Sequence, residues 1–189
     1  YTINENNKAQ GFCYTTAGYA LWALTCIKKI LPSDNQECIG CEIPLSQISA
    51  HTFGLYGPLL CGLCIAFDQA INKKNQPYIT ASKTELQAQY QKIITPSNTY
   101  LIWGGADSGA AILIAGEPMP GLCFQIHQPN NQGIGELLAS YSWPAQARTL
   151  YGNHQGFKDR YLKSHPGFYN LNTKAQKDNL GKIQIKGVD

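Results

Sequence analysis

Apolar residues recur at helical spacing in the first half of the chain and fall into short separate runs in the second. Ala17, Ala20, Leu21, Leu24, Ile27 and Leu31 lie at i, i+3, i+4, i+7 intervals, so Thr16 to Leu31 is predicted as an amphipathic helix, stopped by Pro32-Ser33-Asp34. Residues 32–57 read as irregular, with Gly40, Pro44, Gly54 and Gly57 as breakers. A second helix is predicted to open at Pro58, because proline suits a first helical turn, with Leu59, Leu63, Phe67, Ala70 and Ile71 as its buried stripe. Ser82-Lys83-Thr84-Glu85 reads as a capping box for a third helix, which turns Leu86, Tyr90, Ile93 and Ile94 inward and ends before Pro96.

The period then changes. Thr99–Trp103, Ala110–Ala115, Gly121–His127 and Leu137–Trp143 are apolar runs separated by Gly, Pro and Asn clusters, the pattern of strands and turns. Gln155–Ser164 reads as a short helix, Asn170–Gly181 as a polar irregular tail, and Lys182–Val188 as an edge strand. The expectation is an α+β fold in one domain spanning 1–189, helix-rich in front and strand-rich behind.

Composition narrows the function classes. The chain is 43% hydrophobic and 14% charged, with a net charge of only +3, and Arg148 and Arg160 are its two arginines. Without a basic stripe, nucleic acid is excluded as a partner. The longest apolar stretch, Leu59–Phe67, is far short of the roughly 20 residues of a spanning helix, so no membrane span is expected. The first residue is Tyr1 rather than Met, so a preceding piece is expected to have been removed. Seven cysteines suit an exported protein with six paired and one free, or a cytosolic one with thiols or bound metal. Secretion is the expectation, with the cytoplasm as the alternative.

Cys13 precedes the first helix, where the helix dipole and unpaired N–H groups favour a thiolate and could stabilise an oxyanion. The plainer role is a small apolar residue packing the helix start, or half of a disulfide. Cys38-Ile39-Gly40-Cys41 and Cys61-Gly62-Leu63-Cys64 match zinc-ribbon spacing, so a structural zinc at Cys38, Cys41, Cys61 and Cys64 stands beside disulfides and free core thiols. No other cofactor is expected. Gly104-Gly105-Ala106-Asp107-Ser108-Gly109 lacks the Gly-Lys-Ser/Thr ending of a phosphate loop and reads as a hairpin turn. His51 sits in the irregular segment, and His154 and His165 lie in polar surroundings that suit solvated surface groups.

The string Gln10-Gly11-Phe12-Cys13, followed by Ala17-Gly18-Tyr19-Ala20-Leu21, resembles the nucleophile helix of papain-like cysteine peptidases. It is most like the small bacterial branches, the staphopains and the YopT/AvrPphB effectors. The resemblance implies a papain-like fold, with an N-terminal helical lobe packed on a C-terminal antiparallel sheet. It also implies a cysteine hydrolase acting as a monomer on a protein or peptide. Cys13 would attack the acyl carbon, Gln10 would hold the oxyanion, His127 would shuttle the proton and Asn130 would orient it. The chain departs from the family at Ala110-Ala111, where the histidine is expected, leaving His127 on the next strand to replace it. The alternative is a catalytically inactive secreted binding or scaffolding module stapled by disulfides.

Overall fold

The computed structural model describes residues 2–3, 9–31, 38–67, 73–81 and 90–188. β1 (Thr2–Ile3) pairs antiparallel with β2 (Ala9–Gln10), and β3 (Phe12–Cys13) pairs with Thr149 and Leu150 far along the chain. The first helix forms as expected: α1 (Thr16–Ile30) starts after the extended Thr15 and carries Lys28 and Lys29 in its last turn, where their charge suits the helix dipole. Its buried face is rotated from the predicted one. Trp22, Ala23, Cys26, Ile27 and Ile30 are buried, whereas Leu21 is 54% exposed. The rotation follows from a polar anchor, since the Trp22 indole N–H donates to Ala111 O at 3.0 Å and so fixes which side faces the sheet.

The segment expected to be irregular contains β4 (Cys38–Cys41), α2 (Ile48–His51), a wide π-type turn at Thr52–Tyr56 and α3 (Gly57–Leu60). The helix predicted from Pro58 ends at Leu60. Gly62, in the left-handed region at φ 70°, turns the chain into β5 (Cys64–Phe67), which runs parallel to β4. Ala70 and Ile71 of the predicted stripe lie outside the described residues. β6 (Tyr78–Ala81), β7 (Gln91–Ile94), β8 (Thr99–Trp103), β9 (Leu113–Ile114) and β10 (Glu117–Pro118) complete a seven-stranded mixed sheet in the order β10-β9-β8-β7-β6-β4-β5. The capping box of the predicted third helix lies outside the described residues, and the end of that helix is instead β7. Ile93, opposite Ile79 of β6 and Tyr100 of β8, is fully buried between two partners, and that pairing overrides local helical spacing.

A four-stranded antiparallel sheet follows, ordered β11 (Phe124–His127), β12 (Gly135–Ala139), β14 (Tyr169–Lys177) and β15 (Ile183–Val188). Between them lie β13 (Thr149–Leu150), the partner of β3, and α4 (His154–Tyr161). The tail predicted as irregular is largely β14. Tyr169, Leu171, Thr173 and Ala175 alternate inward, and the buried Thr173 and Asn170 hide that alternation from a hydropathy reading.

The class is therefore α+β, but the papain-like arrangement is not formed. α1 is the only long helix of the front half among the described residues, and it lies on a mixed sheet with parallel β4, β5 and β6 in place of a helical lobe on an antiparallel sheet. Trp22, Ile27 and Phe53 pack over Ile39, Ile79, Ile93 and Ile102 in this core. Contact is tight at Gly57, where a Cβ would sit 2.3 Å from Ile27 Cγ1 and 2.4 Å from Thr52 O. Gly57→Ala is expected to cost about 1–3 kcal/mol through overpacking against backbone, read as a lower melting temperature. An unchanged melting temperature would contradict this packing.

Candidate functional site

The turn between β8 and β9 is held from three directions. Within it, Ser108 Oγ accepts from Gly105 N at 2.8 Å and lies 2.9 Å from Ala110 O. From the second sheet, the Tyr169 hydroxyl donates to Asp107 O at 3.1 Å, and from the segment that follows β12 the Trp143 indole N–H donates to Ser108 O at 2.8 Å. From the front of the chain, the Tyr14 hydroxyl donates to Ala106 O. Gly104 has φ 155° and Gly109 φ 70°, and a Cβ on either would strike backbone, at Ala110 O and Ala145 O respectively. The loop that sequence read as a hairpin turn is thus a turn packed shut on all sides but one.

The open side faces a cleft with two adjoining chambers. One, of about 590 Å³, is bounded by Gly104, Gly105 and Ala106 on one wall and by Ser46, Gln47 and Gln91 on others. The second, of about 600 Å³, is bounded by Tyr19, Ala20, Tyr56, Leu59 and Leu60. Tyr14, Ile48 and His51 line both. The first chamber offers hydroxyls, amides and glycine backbone. The second offers mostly ring faces and aliphatic carbon, with Thr15 and Thr16 beside them. Such a cleft suits a ligand with one polar and one apolar half.

Behind the loop, burial pushes the Asp107 carboxyl up to about 6, and the nearby Arg160 guanidinium offsets this only in part. Burial also raises the phenols of Tyr14, Tyr161 and Tyr169, and Asp107 adds to the effect on each. These three stay neutral donors. Tyr161 and Tyr169 stack at 5.1 Å with an interplanar angle of 6°, and Trp143 meets Tyr169 edge-on at 5.4 Å.

The residues singled out from sequence lie in separate elements. Cys13 sits on β3 opposite Thr149, two residues before the Thr15 that caps α1, and is not at the helix start. Gln10 belongs to β2. His127 ends β11 opposite Glu136, and its ring lies 4.7 Å from that of His165, whose Nε2 is 2.6 Å from Glu136 Oε2. No hydrogen bond or ring contact among the described residues joins His127 to Cys13. Asn130 Oδ1 accepts from Gln132 N and Ile134 N at 2.9 and 3.1 Å, closing the β11–β12 turn. Tyr14, Gln91 and the wall formed by Gly104–Ala106 went unrecognised in the sequence, and His51 was read there only as a weak histidine. The signal available was position: Tyr14 adjoins the conspicuous Cys13, and the glycine pair follows a strand directly.

No disulfide joins any of the seven cysteines. The two Cys-x-x-Cys pairs do not converge: Cys38 is the strand neighbour of Cys64, while Cys41 is buried and its Sγ lies 3.4 Å from Ile43 O. Among the described residues no group of three or more His, Cys, Asp or Glu side chains is placed to hold a metal ion.

Two outcomes follow from this geometry. A carboxyl raised from 3.8 to about 6 in the folded protein binds its proton more tightly there than when unfolded, so the stability present below pH 4 is lost as pH rises through 6. The loss is at most about 3 kcal/mol. Asp107→Asn keeps the acceptor for Ser108 N, so its melting temperature should gain on that of the unsubstituted protein between pH 4 and 7, and parallel curves would contradict a buried carboxyl. Burial and the neighbouring Cys64 thiol raise Cys38 to about 11, and the two residues face each other across β4 and β5. Mild oxidation should therefore join Cys38 to Cys64, read by non-reducing peptide mapping, whereas a Cys38–Cys41 or Cys61–Cys64 link would contradict the register.

The chain is similar over 99% of its length to acetyl-coenzyme A synthetases. The enzyme of Chlorobaculum tepidum is 22% identical and that of Drosophila melanogaster 25%, and the human mitochondrial acetyl-coenzyme A synthetase 2-like protein is 24% identical. The chain spans 37–38% of the length of these three relatives. No family model matches. Among solved structures, the fold is similar to Bacillus subtilis o-succinylbenzoate CoA synthetase in complex with its acyl-adenylate intermediate, with a TM-score of 0.69 at 11% identity over 100% of this chain and 61% of the other. These likenesses overturn the papain-like resemblance, and with it the cysteine-hydrolase function, and they lend no support to an inactive binding or scaffolding module. In fold this chain resembles a CoA synthetase, and in sequence it is similar to acetyl-coenzyme A synthetases.

Proposed function

We propose that this chain is part of an acyl-CoA synthetase that works through an acyl adenylate, with a carboxylic acid, ATP and coenzyme A as its substrates in place of the peptide expected from sequence. The single observation that carries this reading is sequence similarity to acetyl-coenzyme A synthetases across 99% of the chain. The two-chambered cleft supports it. An acyl adenylate is a mixed anhydride with a polar nucleotide on one side of the carbonyl and an acyl group on the other, and the cleft is divided the same way. In the chemistry that follows from such an intermediate, the acid's carboxylate oxygen bonds to the α-phosphorus of ATP and pyrophosphate leaves. The coenzyme A sulfur then bonds to the acyl carbon, and AMP leaves with the oxygen.

In this arrangement the polar chamber takes the adenylate against Gly104–Ala106, where glycine lets a ligand approach the backbone closely. Tyr14, which lines the same chamber, fixes that wall through Ala106 O. No helix among the described residues is long and apolar enough to cross a membrane.

A non-hydrolysable acyl adenylate tests the assignment. Titration with acetyl-sulfamoyladenosine is expected to give saturable binding by calorimetry and a raised melting temperature. Ser46→Trp, at the exposed rim of the polar chamber, should weaken that binding at least tenfold. Absence of binding at millimolar ligand, or binding indifferent to Ser46→Trp, would contradict it.

A further inference from the structure

The chamber beside the adenylate site is larger and more apolar than acetate requires. Its volume of about 600 Å³ falls within the roughly 300–1,000 Å³ range of pockets for drug-sized ligands, whereas the acyl part of acetate is one methyl group. No Asp, Glu, Lys or Arg lines it, so nothing there would hold an ammonium or a second carboxylate. Thr15, Thr16 and His51 are its other polar side chains, and two of its three tyrosines present carbon because their hydroxyls are engaged elsewhere: Tyr14 on Ala106 O, and Tyr19 with Thr52 Oγ1 at 3.2 Å. Their rings form a continuous wall, with Tyr14 to Tyr19 at 5.4 Å, Tyr19 to Tyr56 edge-on at 5.9 Å, and His51 to Tyr56 edge-on at 6.0 Å. Burial holds Tyr19 neutral by pushing its phenol up to about 12.

Two further features indicate how the chamber is filled. Leu59 and Leu60 are 58% and 50% exposed at its rim, large apolar surface that an apolar ligand would remove from water. Ala20 is the smallest side chain lining the chamber, and its place on α1 beside Tyr19 leaves space that a larger residue would occupy.

Resting on the ligase reading above, we propose that the acid taken by this chain carries a bulky apolar tail, seated between α1 and Tyr56–Leu60, and that Ala20 sets the length the chamber accepts. Acetate, the acid in the names of its sequence relatives, is a poor match to this chain.

The test compares acetyl-, hexanoyl- and phenylacetyl-sulfamoyladenosine on the full chain by calorimetry. Each buried methylene contributes about fourfold in affinity. The hexanoyl and phenylacetyl compounds are therefore expected to bind at least tenfold more tightly than the acetyl compound. Ala20→Phe should erase that advantage, and its melting temperature reports whether the variant folds. If Ala20→Phe does not fold, Leu59→Asp at the exposed rim should cut hexanoyl binding at least fivefold and acetyl binding by less. Equal affinity for all three compounds would overturn the tail assignment while leaving the ligase reading intact. Binding of none would overturn both.

Discussion

A fully buried alanine is held in a backbone conformation that alanine avoids. Ala110 has φ 117° with no solvent exposure, directly after a glycine at φ 70°. Such a residue costs about 1–3 kcal/mol and persists only where its surroundings leave no alternative. Here those surroundings are Ser108 Oγ at Ala110 O, the Trp143 indole on Ser108 O, the Tyr169 hydroxyl on Asp107 O, and the Trp22 indole on Ala111 O. Each comes from a different part of the fold. Together they tie α1, the mixed sheet and the antiparallel sheet to the one turn between β8 and β9, so the cleft wall at Gly104–Ala106 is anchored to the core behind it.

That anchoring gives the cleft its chemical division. Tyr14 is spent on the turn, which removes its hydroxyl from the apolar chamber and leaves its ring as a shared wall. Asp107 is turned away behind the loop among the phenols of Tyr14, Tyr161 and Tyr169, where desolvation favours its neutral form. The polar chamber is thus lined by hydroxyls, amides, a histidine and glycine backbone, with no carboxylate to bring a fixed negative charge close to a phosphate. An adenylate fits such a lining better than a cationic ligand would.

How much of this was legible in the sequence varied with the physics involved. α1 was readable because its 3.6-residue period is carried by the chain itself, and β8, β11 and β15 because their runs are bounded by turn residues. The parallel strands β4 and β5 were not, since Cys-Ile-Gly-Cys and Cys-Ile-Ala-Phe become strands only by pairing with each other and with β6. β14 was hidden by its buried Asn170 and Thr173, which look like surface in a hydropathy pattern. The cleft was less legible still. Cys13 drew notice by its chemistry, yet the adjacent Tyr14 lines the cleft, because alternation along the chain sends neighbouring side chains to different sides. Residues 14, 46–51, 91 and 104–106 meet only in the folded chain, and no local spacing announces them.

The account stands most directly on where an acyl adenylate lies. A crystal structure of the protein with hexanoyl-sulfamoyladenosine should place the adenosine against Gly104–Ala106 and the hexanoyl chain between Ala20 and Leu59. A ligand bound elsewhere, or one whose acyl chain points away from Ala20 into solvent, would contradict it.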